Sequence, residues 1–232
     1  MSLRDWFRPS VVALRAYWPA FLAIQGAAVA LVFAYFLSPA VQAACTWATD
    51  WKTRGGILFA ALANILSGGV LPELIKRRTR PPGIPHPSAA ELAHQWILFG
   101  ILGVLVERFY ALQSWFFGDG RDPWTLARKI VCDQFGYTLF VALPLVVFWF
   151  ALREHRYRPL AALRALGFSG LARRVLEIFA GNTAFWIPAL VCVYSLPQPL
   201  QFLLFLLLNA AWSLLLIFIA RRQTGSAAPA TP

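Results

Sequence analysis

Six apolar stretches separated by short polar connections organise this chain. They run near 18–38, 55–75, 95–118, 124–152, 175–196 and 198–220. A bilayer core about 30 Å thick takes about 20 residues of helix to cross, and each stretch is of that order. The pattern predicts an all-α polytopic bundle of about six membrane-spanning helices, forming a single domain over 1–222. Breakers set the limits. Gly118-Asp119-Gly120-Arg121-Asp122-Pro123 ends the third stretch, and Leu196-Pro197-Gln198-Pro199-Leu200 forbids one continuous helix through the fifth and sixth. Pro72 and Pro144 predict kinks. The tail over 223–232 is small, polar and Pro-containing, and predicts disorder.

Composition supports the membrane class: 59% of the 232 residues are hydrophobic and 13% are charged, where a soluble domain carries roughly 25% charge. The net charge of +11 raises nucleic acid as a partner, but the basic residues cluster at the ends of apolar stretches. That placement is a topology signal and predicts no nucleic-acid binding. Connections on alternate sides hold fifteen and five Lys or Arg. The positive-inside rule then sets both termini on the cytoplasmic side, with anionic lipid headgroups as partners of the basic side. The first stretch has a basic start, but its apolar region is longer than the 7–15 residues usual in a cleaved leader, so it reads as a span. Arg outnumbers Lys by 18 to 3. This points to a bacterial cytoplasmic (inner) membrane, with an organellar inner or peroxisomal membrane as the alternative.

Charged residues inside these stretches are the candidate chemistry. In a hairpin centred near Gly120 and Arg121, Arg108 and Asp133 fall at matching depth. An ionisable residue in hydrocarbon costs several kcal/mol unless paired or facing a polar cavity. Arg108, Asp133 and the adjacent Glu107 therefore predict either a structural ion-pair network or the lining of a pathway, with Gln134 and Lys129 as further members. Gly100, Gly103 and Glu107 share one face of the third helix, a spacing that permits close backbone approach. Asn64, Asn182, Trp186, Asn209 and Trp212 read as helix-packing polar positions.

Constellations for catalysis are missing. His86, His94 and His155 fall in loops or at helix ends, Ser67 has no basic partner, and no phosphate-binding glycine loop is present. Cys45, Cys132 and Cys192 are isolated and predict neither a metal site nor a disulfide framework. No enzyme activity, cofactor or metal is expected.

Lys129-Ile-Val-Cys-Asp133-Gln134 resembles the K-x-x-x-D-Q segment of a family of small integral membrane proteins of peroxisomes and mitochondria, with bacterial relatives: the Mpv-seventeen, Sym-one and peroxisomal-membrane-protein-two group. Gly103 with Phe109-Tyr110, then Asn182, Trp186, Leu196-Pro197 and Trp212, resemble its other marks in order and spacing over about 51–222. Departures are Gly68-Gly69 for its Gly-Asp, Val104 and Leu139 for prolines, and Gln201 for an arginine. The resemblance implies pore or channel activity toward small solutes, with no catalysis.

Two functions follow as expectations. One is a channel or small-solute permeation protein, with Asp133 setting cation preference or pairing with Arg108 as a gate. The other is a structural or lipid-organising component in which the charges only hold helices together. Six helices are few for a wide central pore, which leaves a homo-oligomer open.

Overall fold

The computed structural model describes residues 3–79, 86–118, 120 and 122–223, and among these all regular structure is helical. α1 is Leu3–Leu37. α2 is built from Pro39–Asn64, a π-helical segment Ile65–Val70 and Leu71–Thr79. α3 is Ala89–Phe117. α4 joins Pro123–Val131, a second π-helical segment Cys132–Ala142 and Leu143–Glu154. α5 is Pro159–Tyr194 and α6 is Gln198–Gln223. Six of these helical runs are long and apolar enough to cross a membrane, as an integral membrane protein requires.

Local chemistry sets the ends. Ser88 and Glu91 form a reciprocal capping box at the start of α3, each side chain supplying an acceptor to a backbone N–H that the helix itself leaves unpaired. Asp122 caps α4 by accepting from the Thr125 N–H at 3.0 Å, and Pro123 takes the first helical position, where its missing N–H leaves no bond unmade. Both π-helical segments sit directly before a Leu-Pro pair, Leu71-Pro72 and Leu143-Pro144. A proline inside a helix removes a donor and its ring crowds the carbonyl four residues back. A widened turn absorbs both effects, so the expected kinks take this form.

Three helices are longer than the apolar stretches foretold. α1 begins at Leu3 rather than near 18, α2 at Pro39 rather than near 55, and α5 at Pro159 rather than near 175. The last two each contain a break at a glycine with positive φ, Gly56 (φ 50°) and Gly167 (φ 57°), a conformation that favours a residue without Cβ. The limbs 39–55 and 159–166 therefore precede the spans themselves. The tail expected to be disordered lies, from Thr224 onward, outside the described residues.

α6 is the centre of the bundle. Two-thirds of its span window is buried, against 17% for α1. It packs on α1, α2 and α5. Ala210, Ala211 and Leu214 meet Ala20 and Ile24 of α1 in a small-residue contact, where short side chains let backbones approach. α2 and α3 approach as closely. A Cβ added at Gly103 would meet the Ala60 carbonyl and the Asn64 side chain, and one at Gly68 would meet the Phe99 ring. By contrast, α3 and α4 make few close backbone contacts, and the space between them is filled by long side chains.

Candidate functional site

That space holds the candidate site. Three contacts give the α3–α4 register. Gln113 donates to the Lys129 carbonyl at 2.8 Å, the Phe109 and Tyr137 rings stack at 4.5 Å, and the Trp149 indole donates to the His94 carbonyl at 2.9 Å. The Gln113–Lys129 and His94–Trp149 contacts hold the depth match expected for positions 108 and 133 to within about two residues.

The Arg108–Asp133 pairing does not form. Arg108 is exposed on the outward face of α3, whereas Asp133 is 8% exposed and turned inward. Helical phase is the reason. Successive residues turn by about 100°, so a helix that puts Gly103 against α2 swings Arg108 outside and brings Tyr110 round toward Asp133. Glu107 does not join Asp133 either. It pairs with Lys52 of α2 at 3.5 Å, both side chains about one-third exposed.

The Asp133 carboxylate is held by neutral donors. Gln134 Nε2 donates to Oδ1 at 2.9 Å and Thr138 Oγ1 donates at 3.2 Å, with Tyr110 beside them on the cavity wall. Among the described residues no Lys, Arg or His forms an ion pair with it. The network extends outward to α5, where Asn182 donates to Gln134 Oε1 at 3.0 Å. Asp133, Gln134 and Thr138 all lie in the second π-helical segment. Wide turns of this kind are often found at functional sites.

A separate polar contact ties α6 to α2. Asn209 Nδ2 donates to Ser67 Oγ at 2.9 Å and to Asn64 Oδ1 at 3.3 Å. Asn64 and Asn209 thus bond between helices, as packing positions would. Asn182 was grouped with them in the sequence reading but belongs to the Asp133 network.

Two cavities adjoin here. The inner one, about 100 Å³, is lined by Asp133, Gln134, Asn182 and the rings of Tyr110, Tyr137, Trp186, Phe205 and Trp212. The outer one, about 490 Å³, is a vestibule between α2, α3, α4, α5 and α6, lined by Lys52, Glu107, Gln113, Lys129, Tyr194 and Gln201, with Gly120 of the α3–α4 turn at its rim. Asn64, Val106, Tyr110, Leu190 and Phe205 line both and form the septum. Toward the other end of the bundle, Phe99, Leu143, Val146 and Leu216 bound the inner cavity, and the apolar core continues through Val147, Phe150 and Ala151. His94 is buried at that end, stacked on Trp149 at 5.1 Å, with the Tyr157 hydroxyl 3.3 Å from Nδ1. His86 is exposed outside the helices, and His155 follows the last turn of α4.

Of the sequence candidates, Asp133, Gln134, Asn182, Trp186, Asn64, Asn209 and Trp212 converge on the inner cavity, Glu107 and Lys129 line the vestibule, and Arg108 lies outside both. Thr138, Tyr194 and Lys52 were missed. Hydroxyl residues carry no desolvation alarm of the kind a charge does, and Lys52 was counted only as a loop charge. Comparison of the chain with protein-family models, with curated proteins and with solved structures gives no match.

Proposed function

We propose that this protein is a small-solute permeation protein, a channel of an inner or cytoplasmic membrane, whose pathway descends from the vestibule through the septum at Tyr110 to Asp133. The observation that carries this reading is a buried carboxylate met only by neutral donors, beneath a polar vestibule. Burying a charge without a partner is expensive, and a site retained solely for packing is served as well by an uncharged residue. Asp133 gives the pathway a preference for cations, and the Lys52–Glu107 pair stands at its mouth. The vestibule opens at the end whose connections hold few basic residues, so by the positive-inside rule it faces away from the cytoplasm, and both termini face it. Membership of the Mpv-seventeen-like family is part of this proposal. It is supported by the convergence of the Asp133, Gln134, Asn182, Trp186 and Trp212 marks on one cavity.

The apolar closure beyond Phe99, Leu143, Val146 and Leu216 favours a second reading, a structural or lipid-organising component that transports nothing. Solute release and conductance from proteoliposomes separate the two. Under the permeation reading, wild type conducts, Asp133→Asn changes cation preference, and Arg108→Gln behaves as wild type. A folded, silent wild type would leave the structural reading standing.

A further inference from the structure

We infer that the inner cavity takes a small organic monocation of the ammonium or methylammonium class, an inference that rests on the permeation proposal only for the route by which the ligand arrives. Among the described residues the lining contains one carboxylate, Asp133, and no Lys, Arg or His. An anion would be repelled by the carboxylate with no cation to offset it, and a neutral solute would leave that carboxylate without a counter-charge. A carboxylate offers about four acceptor positions, and Gln134 and Thr138 use two, both on Oδ1. N–H groups of a ligand can take those left on Oδ2. A second acceptor is at hand, because Tyr137 lines the cavity and its buried hydroxyl has no hydrogen-bond partner among the described residues.

The rest of the wall chooses between organic and inorganic cations. Trp186, Phe205 and Trp212 present rings, with Trp186 and Phe205 centroids 5.4 Å apart. Aromatic faces attract ammonium-type cations, whereas hard metal cations require six or more oxygen ligands or ordered water in their place. A volume of about 100 Å³ admits a ligand of a few heavy atoms, and a ligand that small binds weakly, with Kd in the millimolar range.

The test is saturation-transfer NMR on the purified full-length protein in detergent, with methylammonium chloride as the probe, methanol as a neutral probe of the same size, and sodium chloride as competitor. The expected result is saturable transfer to methylammonium, at least tenfold weaker transfer to methanol, and no displacement by sodium at equal concentration. Asp133→Asn should lower the affinity at least tenfold and Trp186→Leu severalfold. If Asp133→Asn does not fold, the wild-type comparison with methanol decides alone. Absence of saturable transfer in folded wild type, equal transfer to methanol, or displacement by sodium overturns the inference. Methylammonium flux is measured separately. Binding without flux keeps the cation site and removes the permeation route, and flux of other solutes without methylammonium binding does the reverse.

Discussion

Tyr110 lines the inner cavity beside Asp133, while Arg108, two residues earlier on α3, faces outward. Tyr110→Phe removes the hydroxyl from beside the carboxylate while keeping the ring. The loss should lower unfolding stability by at most about 1 kcal/mol, the net worth of a typical hydrogen bond. Arg108→Gln should change stability by less than about 0.5 kcal/mol, as surface substitutions do. Unfolding of the two variants in mixed detergent checks both.

Gln134 and Asn182 tie α4 to α5 through one bond at 3.0 Å. A double-mutant cycle with Gln134→Leu and Asn182→Leu should give a coupling energy of about 0.6 kcal/mol, the average for interhelical bonds in membranes, and no more than about 1.7 kcal/mol. Additive single effects would mean that the two side chains act independently.

Lys52 and Glu107 meet in the vestibule with both side chains partly exposed. Such a pair contributes about 0–1 kcal/mol and is screened by salt. Exchanging the two residues should therefore restore the stability lost in either single charge reversal, and the single-reversal penalty should shrink between low and high ionic strength.

Gly103 lets α3 lie against α2. A Cβ there would meet the Ala60 carbonyl, which belongs to backbone and cannot swing away, as well as the Asn64 side chain. Gly103→Ala should destabilise the bundle by about 1–3 kcal/mol, as overpacking does. Gly136, whose nearest neighbour for an added Cβ is the Cys132 sulfur at 3.8 Å, should tolerate alanine. Thermal unfolding of the two variants side by side makes the comparison.

Asp122 gives a pH dependence at the start of α4. Its carboxylate accepts from the Thr125 side chain and backbone, which hold its pKa below the ordinary value of 3.8. A group whose pKa is depressed by folding contributes stability above its unfolded pKa and loses that contribution as pH falls through the folded value. The first turn of α4 should therefore stay protected from hydrogen exchange at neutral and mildly acidic pH and open only in stronger acid. Asp122→Ala should show the open state at neutral pH.

Hydrophobic length and the breaker residues made the six spans legible, because a span needs only enough apolar residues in a row. Helical phase was harder to read. The antiparallel register could be counted from the Gly120 turn, and the depth of Asp133 relative to α3 followed. Which α3 residue points inward depends on the close approach of Gly103 to Ala60, a contact between helices that no count along α3 reveals. Arg108 was chosen for its charge, yet the neutral Tyr110 occupies the position facing Asp133. The limbs ahead of Gly56 and Gly167 were hidden for a different reason. Their residues are too mixed to span, and a glycine break inside a helix looks, in sequence, like the end of a loop.

The claim that solute passes through the vestibule is tested most directly by blocking it. Ser114 lines the vestibule and can be made the sole cysteine, with Cys45, Cys132 and Cys192 replaced by alanine. Conductance of reconstituted Ser114→Cys protein is then recorded before and after a bulky water-soluble thiol reagent. The account predicts that labelling stops most of the current and leaves the unlabelled cysteine-free protein unaffected. Full labelling with unchanged current would contradict it.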